Sequence, residues 1–147
     1  MKNIFYLMGL IILGTIISCE REIESDAILS PINITGQWNV NAYNDSTLLY
    51  GPFKVMTLKD TSGSDSITIQ DTEMKFWEFR VKVRADEANG TFNTKLSSSE
   101  VGGEEIGIKI SNGKIFSSDS IYFEIQFEDD ETPYGVTYQI KGRRTIE

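Results

Sequence analysis

Trp77-Glu78-Phe79-Arg80-Val81-Lys82-Val83-Arg84 alternates apolar and charged residues without a break. In an extended chain Trp77, Phe79, Val81 and Val83 point one way, and Glu78, Arg80, Lys82 and Arg84 the other. A strand with one dry and one wet face produces this pattern, and antiparallel sheets supply such a place. Ile121-Tyr122-Phe123-Glu124-Ile125-Gln126-Phe127-Glu128 repeats it, with Ile121, Phe123, Ile125 and Phe127 on the dry side. No stretch after residue 33 carries apolar residues at helical spacing over a helix's length.

Weaker strands fill the intervals. Trp38, Val40 and Ala42 alternate with polar residues. Phe53 to Leu58 is an extended β-branched and aromatic stretch, and Ile67 and Ile69 flank Thr68. Phe92, Thr94 and Leu96 form another set, as do Ile106, Ile108 and Ile110, and Val136, Tyr138 and Ile140 the last. Turn residues separate them: Tyr50-Gly51-Pro52, Ser62-Gly63-Ser64, Asn89-Gly90, Gly102-Gly103, Asn112-Gly113 and Thr132-Pro133-Tyr134-Gly135. Asn44-Asp45-Ser46, Asn33-Ile34-Thr35 and Asn89-Gly90-Thr91 match glycosylation sequons and agree with surface turns. About eight strands at this spacing indicate a sandwich or a barrel. An all-β fold is expected, a single antiparallel up-and-down barrel over residues 34–147, because closure removes exposed edges from a short chain.

Ahead of the barrel, Met1-Lys2-Asn3 precedes an apolar run from Ile4 to Ile17. One positive charge, a short apolar core and a small residue at its end make residues 1–18 a signal peptide. The run falls short of the about 20 apolar residues that span a bilayer. Ile16-Ile17-Ser18-Cys19 resembles the lipobox of bacterial lipoproteins. That resemblance implies cleavage before Cys19, diacylglycerol on its sulfur, and a chain anchored with palmitate-type acyl groups. Cys19 is the only cysteine, so no disulfide within the chain can form. Residues 19–33, with Glu20-Arg21-Glu22-Ile23-Glu24-Ser25-Asp26 at their start, are expected to be a charged flexible tether. The location this implies is the cell envelope, with the outer membrane as the anchoring surface.

The 147 residues carry a formal charge of -8, and removal of Lys2 with the signal makes it one unit more negative. Such a surface argues against nucleic acid as a partner, and leaves membrane attachment to the acyl chains rather than a basic patch. There is no histidine. Ser-His-Asp and Cys-His pairs and the usual zinc and copper ligand sets are therefore missing, and no catalytic residue, metal or cofactor is assigned. The carboxylates of Glu104-Glu105 and of Glu128-Asp129-Asp130-Glu131 remain as conceivable glycosidase pairs, and the second cluster as a conceivable calcium site. Both lie at turns, where acidic residues are usually solvated.

Gly36-Gln37-Trp38 opens the first strand and resembles the Gly-x-Trp start of lipocalins and avidins. Phe76 to Val83, Asp119 to Asp130 and Tyr138 to Thr145 look like the lipocalin-like lipoproteins grouped as the "lipid-binding putative hydrolase" family. The resemblance runs from about Ile34 to Thr145 and implies a calycin-type barrel around a small apolar ligand. Members continue Arg-Arg-Thr with Gly-Phe, whereas Ile146-Glu147 follow here. No nucleophile in the sequence gives the family's "hydrolase" a residue to rest on.

Two readings stay open beside a distant carboxylate-based hydrolase. In one, a membrane-tethered barrel binds a lipid among its inward residues, with Trp77, Phe79, Val81, Phe123, Ile125 and Tyr138 as candidate contacts. In the other, the barrel is solid and engages a protein partner at the envelope, because an eight-stranded barrel is just wide enough to be filled. At one end, counting by twos from Val136 puts Arg144 inward, opposite Trp38. Lipocalins place an arginine across the corresponding tryptophan, so Gly36, Trp38 and Arg144 are expected to close that end. A bulge at Gly142 would hand the role to Arg143.

Overall fold

The computed structural model describes residues 31–61, 65–101, 103–117 and 119–146. Among them eight strands follow in order: β1 (Gly36–Asn44), β2 (Thr47–Lys59), β3 (Ser66–Asp71), β4 (Arg80–Asp86), β5 (Thr91–Val101), β6 (Glu104–Phe116), β7 (Ser120–Phe127) and β8 (Tyr138–Arg144). Each is antiparallel to the next, and β8 returns to pair with β1, closing a barrel. The period-two pattern sets the faces. In β4, Val81, Val83 and Ala85 are buried while Arg80, Lys82, Arg84 and Asp86 are exposed; in β7, Ile121, Phe123, Ile125 and Phe127 point in. Trp38, Phe53, Phe79, Phe92, Phe123 and Phe127 are each at most 2% exposed. The inward positions are thus occupied by large side chains, the filled version of a barrel this narrow.

Several elements differ from the sequence expectation. The decisive stretch is strand only from Arg80; Trp77, Glu78 and Phe79 belong to the approach from β3. Tyr50-Gly51-Pro52 is no turn but lies inside β2, where the β1 pairing shifts register between Val40 and Ala42. The reversal comes earlier, at Asp45-Ser46. Asn112-Gly113 likewise sits inside β6, at a register shift between Ser111 and Lys114. The β6–β7 turn follows Phe116, whose carbonyl accepts from Asp119 N. Leu96 is 59% exposed, because a register shift between Thr94 and Ser97 turns the end of β5 over and brings Ser99 inward. Val136 precedes β8 and packs partly buried against the core. Gly142 carries no bulge: the β1–β8 register runs unbroken from Tyr43↔Gln139 to Trp38↔Arg144.

This topology gathers the β1–β2, β3–β4, β5–β6 and β7–β8 connections at one end, the mouth. The other turns, Ile34 and the end of β8 lie at the opposite end. The expected signal peptide with Cys19, the expected tether up to residue 30 and the expected Ser62-Gly63-Ser64 turn lie outside the described residues. Ile32 and Asn33, read as tether, are docked: Ile32 packs against the core and its N–H donates to Glu87 O, and Asn33 O accepts from Arg144.

Candidate functional site

The end opposite the mouth is sealed from within. Trp38 is fully buried, and its Nε1–H donates to Thr57 Oγ1 at 2.9 Å. Thr57 in turn donates to Gly36 O. The Arg144 guanidinium lies 4.2 Å from the Trp38 ring centroid. Its nitrogens donate to Thr35 O, to Asn33 O at 2.7 Å and to the Asp119 carboxylate at 2.9 Å. A cation over an indole face with its donors satisfied is a stable arrangement. Gly36 is required beside it, because its φ of +147° disfavours other residues and a Cβ there would run into the guanidinium. Thr57 had no signal in the sequence: it reads as one polar position in an apolar strand.

The mouth is closed by aromatic rings. Phe76, in the loop between β3 and β4, lies 5.2 Å from Phe53, 5.3 Å from Tyr138 and 6.0 Å from Tyr50, centroid to centroid. Trp77 stacks on Phe127 at 4.4 Å with an interplanar angle of 7°. Its Nε1–H donates to the Asp129 carboxylate at 3.2 Å. Tyr138 O–H donates to Asp130 at 2.9 Å, and burial, with that hydrogen bond and the Asp130 charge, pushes its phenol up to about 12. Around these rings the rim is apolar and wet: Leu48, Leu49, Tyr50 and Met74 are all exposed.

Residues 72–79 hold their shape through Asp71. Its buried carboxylate accepts from the N–H groups of Glu73, Lys75 and Phe76 at 3.0–3.1 Å. These bonds satisfy a buried charge and fix the turn that carries Phe76. Thr72 N and Oγ1 both donate to Lys54 O on β2. Glu73 sits between two cations, 2.8 Å from Lys75 Nζ and 3.5 Å from Lys54 Nζ. The Lys75 hydrogen bond is the main cause holding the Glu73 carboxyl below its usual range, and it raises the Lys75 ammonium in return.

The structure divides the candidate ligand contacts. Trp77, Phe79 and Tyr138 come together at the mouth, all within 6.1 Å of the Phe127 ring. Val81, Phe123 and Ile125 do not join them; each is fully buried in the packed interior, where Phe123 meets Phe92 at 5.8 Å. Tyr50 and Phe76 complete the mouth and were missed. Tyr50 was hidden in a run read as a turn, and Phe76 precedes the alternation. The 128–131 acidic cluster has structural partners: Glu128 accepts from Gly107 N, Asp129 from Trp77 and Asp130 from Tyr138. Glu104 and Glu105 are exposed. Among the described residues no group of three or more His, Cys, Asp or Glu is placed to hold a metal ion.

A family model described as "Lipid-binding putative hydrolase" matches residues 25–146, the whole barrel included. No curated protein matches the chain.

Proposed function

The chain belongs to that lipid-binding family, and from this premise we propose that it is an envelope lipoprotein whose barrel takes the apolar part of a small lipid at its aromatic mouth. The observation that carries the reading is the convergence of Tyr50, Phe53, Phe76, Trp77, Phe127 and Tyr138 at one end of the barrel, beside an exposed apolar rim. Apolar pockets with a few polar groups at the edge are where lipid-sized molecules bind, and mouths of barrels are a favoured place for them. The lower barrel is filled, and its far end is closed by Trp38 and Arg144, so the ligand enters from the mouth. Cys19 supplies the membrane anchor, several acyl chains together holding far more firmly than one. The outer membrane is the proposed anchoring surface.

The test is native mass spectrometry of the unlipidated domain purified from cells. A co-purified lipid supports the reading, and its loss on Tyr50→Asp places it at the mouth. The anchor is tested separately by Cys19→Ala, which should leave the protein soluble or unprocessed. A processed variant that still partitions with membranes rejects Cys19 as the anchor.

The filled interior favours a second reading. A solid barrel with Leu48, Leu49 and Met74 exposed on its rim also suits an accessory module that docks on an envelope protein. Absence of any co-purified lipid, together with failure to bind fatty acids, sterols or isoprenoids, selects it.

A further inference from the structure

The loop of residues 72–79 places two unlike groups side by side at the mouth. Phe76 and Trp77 lie inward among Phe53, Phe127 and Tyr138. Glu73, three residues before Phe76, lies outward between Lys75 and Lys54. An apolar segment next to a single anion is also the composition of a fatty acid or an alkyl phosphate. Lys54 and Lys75 side chains are 44% and 54% exposed, so solvent reaches both ammonium groups. Among the described residues neither lysine has a carboxylate other than Glu73 within ion-pair distance.

The backbone need not move for these groups to leave. Asp71 ties Glu73, Lys75 and Phe76 through their N–H groups, and Thr72 is tied to Lys54 O, so the turn stays in place. Rotation about the side-chain bonds of Glu73, Phe76 and Trp77 breaks the contacts of Glu73 with Lys75 and Lys54 and the hydrogen bond from Trp77 to Asp129. Both lysines then remain at the rim of an emptied aromatic mouth.

Resting on the reading of the mouth as a lipid site, we propose that the 72–79 loop is a built-in surrogate for the ligand: Phe76 and Trp77 hold the place of its tail, Glu73 that of an anionic headgroup, and the ligand is a single-tailed lipid ending in a carboxylate or phosphate. Lys54 and Lys75 receive that headgroup. Tail and head displace the loop's side chains together. The measured affinity is then the intrinsic one reduced by the fraction of molecules whose loop has given way. Substitutions that weaken the surrogate therefore tighten ligand binding, the reverse of what removing a wall residue does.

The experiment compares laurate, dodecyl phosphate and dodecanol, three ligands with one tail, by calorimetric titration into residues 19–147 carrying Cys19→Ser. Laurate or dodecyl phosphate should bind on the order of tenfold tighter than dodecanol, the effect of two charge-assisted contacts at an exposed site. The tighter of the two tells carboxylate from phosphate. Lys54→Gln with Lys75→Gln should erase the difference. Glu73→Gln should tighten all three ligands, the anionic ones several-fold and the most, and Phe76→Ala should tighten all three. Equal binding of dodecanol and the anions overturns the headgroup assignment while leaving the lipid site standing. Weaker binding in Phe76→Ala, with the melting temperature retained, makes Phe76 a wall of the site and overturns the surrogate. Binding of none of the three rejects the mouth as a site for a single-tailed lipid and overturns the proposal.

Discussion

At one end of the barrel a guanidinium lies over a fully buried indole, and its nitrogens are fixed by two backbone carbonyls and a carboxylate. At the other, a half-buried indole stacks on Phe127 and gives its one N–H to an exposed aspartate. The first tryptophan and its arginine sit on strands that pair with each other, Trp38 opposite Arg144. Moving Trp38 means opening the packed core, and moving Arg144 means breaking its hydrogen bonds to Thr35, Asn33 and Asp119. Trp77 sits on a loop, outside every ladder, and can leave while all eight strands remain paired. The same residue type therefore serves two ends differently: Trp38 closes the fold, and Trp77 covers the proposed site. Regions that must move to admit a ligand come from the less tightly held part of a structure.

The largest expected effect tests this directly. Trp38→Ala should cost about 3–5 kcal/mol, a buried aromatic lost from a packed core. Trp77→Ala should cost roughly 1–2 kcal/mol, for a half-buried ring and one stacked pair. Thermal melts should separate the two by about 10 °C. Equal shifts would make the mouth as structural as the plug.

A smaller contrast lies between adjacent arginines. Arg144→Met loses a desolvated cation–π contact of about 2 kcal/mol and strands two carbonyls. Arg143, exposed on the outer face of β8, should tolerate the same change within about 0.5 kcal/mol. Chemical denaturation of the two variants reads the difference. A larger loss at Arg143 would reverse the register at the closing seam.

The smallest effect belongs to the mouth. The Tyr138 phenol is raised from 10.0 to about 12, so its neutral form is favoured by folding. The stability this gives is fully present below pH 10 and is lost as pH rises from 10 toward 12. The melting temperature of the wild type should fall more steeply across that window than that of Tyr138→Phe. Below pH 10 the variant should lose about 1 kcal/mol, one hydrogen bond. Parallel curves would mean that the Tyr138–Asp130 bond is not held in solution.

The walls of this barrel were legible because burial alternates where the sequence does, as from Val81 to Ala85 and from Ile121 to Phe127. The plug was legible too, because Trp38 and Arg144 fall on the inward count of the first and last strands and no bulge intervenes. Bulges defeated the count elsewhere. Glycine punctuates strands as well as ending them, so Gly51 and Gly113 read as turns in the sequence although strands run through them. The shift near Thr94 sent Leu96 outward in the same way. The mouth was half legible for a different reason. Its residues come from a loop, where no period applies. Trp77 was found only because it continued the β4 alternation by chance, while Phe76 and the Asp71 carboxylate that seats it had no pattern to reveal them.

The division between the two ends can be read from light. Two variants, Trp38→Phe and Trp77→Phe, each leave a single tryptophan, and dibrominated stearate quenches an indole only on contact. Titrated with it, the protein retaining Trp77 should lose most of its emission, and the protein retaining Trp38 should lose almost none. Quenching of Trp38 in place of Trp77 would put the lipid at the plugged end and contradict a ligand site at the mouth.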